Sequence, residues 1–276
     1  MKKIVIALLS LFLLSAIGLN SCRSCNKRQD SKEQKMIEID EPENLRSEIE
    51  QSLLSLPTSA DVVKMLTELE VEYINGISNS TANADKYLVS GSKALNLGIY
   101  GADLSYATLY NMNQEVHDYL DAIGKLAGEL NMSRLYDKDL YDNISNNYDN
   151  KDELVDLLSN TFNKTYSDLG NNDQLPLALM VVAGAWVEGM YITTHISASV
   201  FHVEGIVRVL LEQKQTFELF LEIAESHPDD PEIKELLNSL QPIQDVYEGV
   251  DDTSLTVTNV ADITRVIEEV RAKFTS

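Results

Sequence analysis

The sequence predicts an all-α protein, either a multi-helix antiparallel bundle or an irregular α-α superhelix of about nine helices. Three observations carry that reading. Apolar residues recur at steps of three and four along most of the chain, and helix caps separate the runs. Six prolines and twelve glycines are too few for the frequent turns of a β-sandwich. No stretch sustains an apolar/polar alternation. Only 249–258, Gly-Val-Asp-Asp-Thr-Ser-Leu-Thr-Val-Thr, has strand character, and a loop is expected there.

Taken in order, residues 1–21 read as an export signal. Lys2 and Lys3 are the basic start, and Ile4 to Ile17 is an almost unbroken apolar run. That run is short of the roughly 20 residues a spanning helix needs. Leu19-Asn20-Ser21-Cys22 follows, the ending of a bacterial lipoprotein signal. Cleavage before Cys22 and acylation of its thiol would tie the protein to the lipid bilayer. One acyl chain anchors only marginally, at about 0.8 kcal/mol per buried CH₂, so the expected two or three chains hold firmly. Cys25 is the weaker acceptor, because Cys22 would stand three residues before it. Residues 22–34 are polar and without apolar period, and read as a flexible tether. Residues 35–276 are expected to form a single all-helical domain.

Within that domain, Pro57-Thr58-Ser59 opens a helix carrying Val62, Val63, Leu66, Leu69 and Val71. Ala84–Tyr110 reads as one long helix or two joined ones. Gln114–Leu130 presents Val116, Tyr119, Leu120, Ile123 and Leu126 on one face. Asp137–Asn146 is short. Asp152–Leu169 is expected to stop at Gly170. Leu175–Ser199 is the most apolar stretch, but Glu188 interrupts it, which predicts a buried core helix and not a membrane span. His202–Ser226, Pro231–Val246 and Ala261–Lys273 complete the set.

The formal net charge of −22 argues against nucleic acid as a partner and against a basic membrane-binding face. With two cysteines in the chain, both near the start, there is no disulfide framework and no cysteine metal cluster. Hydrolase, P-loop, zincin and dinucleotide-binding motifs are absent from the sequence. No cofactor is expected.

Two constellations could carry chemistry. Glu188, Tyr191, His195 and His202 share a stripe if their helix runs unbroken. His195 and His202 are about two turns, roughly 10 Å, apart, so one ion cannot bridge both. Asp103 lies in a run of small residues with Tyr100, Tyr106 and Tyr110 at helical spacing, and Gly98 and Gly101 would let another helix come close. Facing each other, Asp103 and Glu188 would line a polar pocket with Tyr106, Tyr110, Trp186, Tyr191 and His195, able to hold a cation or to act as an acid–base pair. The plainer reading is a polar core network that fixes helix register. The Asp/Asn-rich stretch 136–153 lacks the order of a calcium loop and reads as solvated. Around the two constellations, Asp103–Tyr110 also lines up with Glu188–His195 at an offset of about 85 residues, a weak pseudo-repeat.

The segments Leu95-Asn-Leu-Gly-Ile-Tyr-Gly-Ala-Asp-Leu-Ser-Tyr-Ala107 and Val182-Ala-Gly-Ala-Trp-Val-Glu-Gly-Met-Tyr191 resemble a group of helical lipoproteins of uncharacterised function from Bacteroides-type bacteria. The Leu-x-Ser-Cys ending is similar too. The resemblance implies a helical fold and an envelope location, and no activity. It implies the periplasmic side of the outer membrane, because no acidic residue stands in 23–28 after the acylated cysteine. Together these features predict a non-enzymatic binding module, with a small-molecule or divalent-metal site at the Asp103–Glu188 pocket as the alternative.

Overall fold

Helix-forming periodicity is realised along nearly the whole of the described chain. A computed structural model describes residues 58–132, 135–136, 138–171, 174–200 and 204–276. The signal, Cys22, the tether and His202 lie outside the described residues. Among the described residues all regular structure is helical, with nine α-helices and one 3-10 turn. These are α1 (Ser59–Glu68), the 3-10 turn (Thr81–Lys86), α2 (Ser90–Leu109), α3 (Asn113–Glu129), α4 (Lys138–Asn146), α5 (Lys151–Asn171), α6 (Leu175–Val200), α7 (Glu204–Glu225), α8 (Pro231–Tyr247) and α9 (Val257–Phe274).

Local chemistry sets the ends. Thr58 starts α1 with a capping box, accepting from the Asp61 N–H while Asp61 accepts from the Thr58 N–H. Thr256 and Asn259 build the same device at α9, so 249–256 is a loop while Val257 and Thr258, expected to belong to that loop, already lie in the helix. Asp230 caps α8 ahead of Pro231. Three helices stop without glycine. Glu70 (φ 56°), Asn111 (φ 59°) and Asn131 (φ 64°) take the left-handed conformation just past α1, α2 and α3. In each case the next amide closes back over the last turn, as Met112 does onto the Ala107 carbonyl at 2.8 Å.

Some expected boundaries move. Helix α1 ends at Glu68, so Val71 lies outside it. Of the two forms expected for Ala84–Tyr110, the joined pair is the one seen: Tyr87 turns into the core to accept from Asn79, and Leu88 and Val89 are left on the surface between the 3-10 turn and α2. Gly170 does not stop α5, which continues through it to Asn171. The Gln174 amide reaches back to the Leu169 carbonyl at 3.0 Å.

At the centre, α2 and α6 form the most extensive helix pair. A Cβ on Gly98 would stand 2.8 Å from the Ala185 amide nitrogen, and one on Gly184 would stand 2.9 Å from the Leu95 carbonyl carbon. The two backbones therefore meet directly at the crossing. Gly101 has no such role, since nothing described stands within 4 Å of where its Cβ would be. Along the pair, Gly91 lies at Met180 and Asp103 lies at Glu188, so the helices run parallel. Short connections make sequence neighbours antiparallel; three helices separate this pair. The offset of about 85 residues that aligns Asp103 with Glu188 in the sequence is thus also their register in space. Around the pair, α1 and α5 pack on one side, α9 joins α6 to α8, and α7 leans on α6. Leu175–Ile196 is long and apolar enough to cross a membrane, yet 83% of its apolar window is buried inside this domain.

Candidate functional site

One stripe of α2 carries Tyr100, Asp103, Tyr106 and Tyr110, at spacings of three and four residues. Against it lies the non-helical segment 71–80, which joins α1 to the 3-10 turn. The two run antiparallel and meet in rungs. Tyr110 donates its hydroxyl to the Val71 carbonyl at 2.8 Å, and Tyr106 accepts from the Ile74 amide at 2.8 Å. The Asn79 amide donates to Asp103 Oδ2 at 3.1 Å, and Tyr100 donates to the Ser80 carbonyl at 2.9 Å. Tyr119 of α3 adds a bond to the Asn79 carbonyl at 3.1 Å. An irregular segment brought into a core must find partners for its backbone groups, and this stripe supplies them. Tyr73 of the segment stacks on Tyr106 with ring centroids 4.6 Å apart and donates to Glu115.

Behind this stripe lies an ionic centre. Glu188 is fully buried and accepts two bonds from Arg271 of α9, from Nε at 2.5 Å and from Nη2 at 2.7 Å. Nη2 also donates to the Ile77 carbonyl at 3.2 Å, so the guanidinium ties α6, α9 and the 71–80 segment together. Its carbon sits 3.8 Å from the Tyr191 ring centroid, a cation–π contact. Burial works against the Arg271 charge, but the bonds and field of Glu188 more than offset it and hold its pKa above the usual value. Asp103 is also fully buried, and its pKa is raised well above the aspartate range. Burial is the main cause, the adjoining Glu188 carboxylate adds to it, and Arg271 and Ser78 pull it back in part.

The centre reaches the surface through His195. Its Nδ1 faces the Tyr191 carbonyl at 2.8 Å and its Nε2 faces Glu268 at 2.9 Å. Both are acceptors, so both bonds form when both ring nitrogens carry a proton.

The structure therefore brings together Asp103, Glu188, Tyr191 and His195, with Tyr106 and Tyr110 one turn and two turns further along the stripe. Trp186 is elsewhere. Two residues before Glu188 it faces the opposite side of α6, stacked on Phe217 at 4.6 Å. There it lines a cleft of about 50 Å³ with Val62, Phe162, Val182, Gln213 and Thr216. A second cleft, of about 30 Å³, lies between α1, α2 and α5. Neither is lined by Asp103, Glu188, Tyr191 or His195. Among the described residues no group of three or more His, Cys, Asp or Glu side chains is placed to hold a metal ion.

Arg271 and the 71–80 segment were not legible as parts of this site. Arg271 is one of two arginines in a polar helix, Val71 was expected on the preceding helix, and nothing from Glu72 to Ser80 marks that stretch as part of a site. The available signal was indirect, two acids set in runs of mostly small, apolar and aromatic residues, where a buried charge demands a partner. Compared with protein-family models, with curated proteins and with solved structures, the chain matches none.

Proposed function

We propose that this chain is a lipid-anchored protein of the bacterial cell envelope, held through acylated Cys22, whose helical domain works by binding a partner protein or ligand and not by catalysis. The periplasmic face of the outer membrane is the location this reading favours. The anchor half rests on Leu19-Asn20-Ser21-Cys22 after a basic start and an apolar run. The non-catalytic half rests on one observation: Glu188 gives both oxygens to Arg271, and Asp103 is engaged with the backbone of 71–80. Acid–base or metal chemistry needs such groups open to a substrate. Here they are closed in by the protein's own chain. A site for a ligand is better sought at the Trp186 cleft, whose walls are apolar and aromatic with a few polar groups, the usual make-up of a binding pocket.

The test has two arms. Labelled palmitate is expected to enter the wild type and not Cys22→Ala, and the variant is expected to keep its uncleaved signal and run at a higher mass. Thermal unfolding of the full chain in detergent is then run with a panel of envelope-derived peptides, sugars and metal salts. A binder raises the melting temperature in proportion to the logarithm of its concentration, and Trp186→Ala is expected to remove the shift. Turnover of any panel member, abolished by changing Asp103 or Glu188 in a protein that still folds, overturns the non-catalytic reading.

A further inference from the structure

Charge counting at the centre leaves one carboxyl group over. Asp103 and Glu188 are both fully buried, and the groups that face Asp103 come from five directions. Glu188 and Tyr191 face it from α6, Arg271 from α9, Tyr100 from α2 itself, Tyr119 from α3, and Tyr73 and Tyr87 from the chain between α1 and α2. Arg271 is the one cation among them, and its bonds go to Glu188 and to the Ile77 carbonyl. Asp103 Oδ2 takes the Asn79 amide, the Ser78 hydroxyl lies beside the carboxyl group and favours its charged form only in part, and Oδ1 makes no hydrogen bond of normal geometry to a described group. Burial and a shared counter-charge both disfavour the doubly ionised state of two neighbouring carboxylates.

We propose that Asp103 is a neutral carboxylic acid in the folded protein, and that its proton latches segment 71–80 onto α2, so that losing the proton loosens this segment while the helices stay packed. The proton supplies the donor that Oδ1 otherwise lacks, directed at the adjoining Glu188 carboxylate. Once the proton leaves, two buried anions stand side by side and water must reach them. The helices cannot make room, because α2 and α6 meet backbone to backbone at Gly98 and Gly184. The covering element that lacks helical bonds of its own is 71–80, so it is the part that gives way.

The sign of the pH dependence follows from the direction of the shift. In the unfolded chain Asp103 titrates near the ordinary value of about 4. In the folded protein it titrates well above that. Stability from the bound proton is complete below the unfolded value and is lost as pH rises towards the folded one.

The experiment compares the wild type with Asp103→Asn, an isostere that keeps a donor and cannot ionise, using full chain in detergent. Urea unfolding is measured between about pH 5 and about pH 8. Over the interval between the two pKa values, the wild type is expected to lose about tenfold in its folding constant per pH unit relative to the variant. Hydrogen exchange at the Asn79 and Ile74 amides, corrected for intrinsic rate, is expected to quicken with pH in the wild type and stay level in the variant. Carbon-13 labelling of aspartate carboxyls in the wild type alone is expected to show one that keeps the protonated chemical shift at neutral pH. No such resonance in the wild type overturns the proposal, whether or not the variant folds. Parallel unfolding profiles overturn it as well, and level exchange at Asn79 and Ile74 in the wild type overturns the latch.

Discussion

Helix α2 is held on two sides by opposite means. Where it crosses α6, side chains are excluded: Gly98 and Gly184 put backbone against backbone, and the seam works by fit. Where it meets 71–80, side chains do everything, and Tyr100, Asp103, Tyr106 and Tyr110 stand in for the strand partner the segment does not have. A seam of fit has no slack for one added atom. A seam of separate polar rungs can lose one and keep the others. The two therefore ought to fail differently under substitution, and the contrast can be pressed at both.

The largest effect is expected at the fitted seam. Gly98→Ala places a methyl group against the Val181 carbonyl and the Ala185 amide, both backbone, so neither can swing aside. A loss above about 4 kcal/mol, or no folded protein, is expected by urea unfolding. Gly101→Ala on the same helix meets nothing described and is expected to be neutral or to gain roughly 0.5–1 kcal/mol from helix propensity. Equal losses at the two positions would erase the distinction drawn here.

Next in size is the ion pair. Arg271→Met leaves Glu188 buried without its counter-charge and is expected to cost about 3–5 kcal/mol. Adding Glu188→Leu to it is expected to recover most of that loss, because the cost lies in the unpaired charge more than in the missing contact. A double variant as unstable as the single one would mean that the guanidinium holds 71–80, through Ile77, more than it serves Glu188.

The smallest effect is expected at a single rung. Tyr106→Phe keeps the ring stack with Tyr73 and strands the Ile74 amide, for about 1–2 kcal/mol. Hydrogen exchange should quicken at Ile74 and leave the Ser80 end of the segment, held by Tyr100, as it was. If the whole segment opens at once, the rungs are cooperative and the polar seam is closer in kind to the fitted one.

What was legible in the sequence divides along the same line. Helix positions, caps and the Tyr100–Asp103–Tyr106–Tyr110 stripe are local facts, written in spacings of three and four. Gly98 was readable as a site of close approach because glycine inside a helix costs stability that a backbone crossing can offset. Gly101 looked the same and is not, since which side of a helix is covered depends on elements far away in the chain. The partner of Glu188 was unreadable for that reason. Nothing in Glu-Glu-Val-Arg-Ala-Lys-Phe separates Arg271 from Lys273, yet one is inside and the other pairs with Glu269 at the surface. The stripe itself suggested a vacancy to be filled by a ligand. The chain fills it with its own backbone, and only the path of 71–80 in space reveals that.

The parallel run of α2 and α6 and the arrival of Arg271 from α9 also impose a timetable. A growing chain emerges from its N-terminus, at a pace of several residues per second. Helix α2 is complete long before α6 exists, and Glu188 is made long before Arg271. Contacts of such long sequence separation slow folding, because the intervening chain must be ordered first. Until α9 docks, two acids destined for the interior have no cation, and staying wet is their better option. Helix α9 thus acts as a closing key: a chain cut short before it would carry the other described helices and still lack the charge that lets them shut.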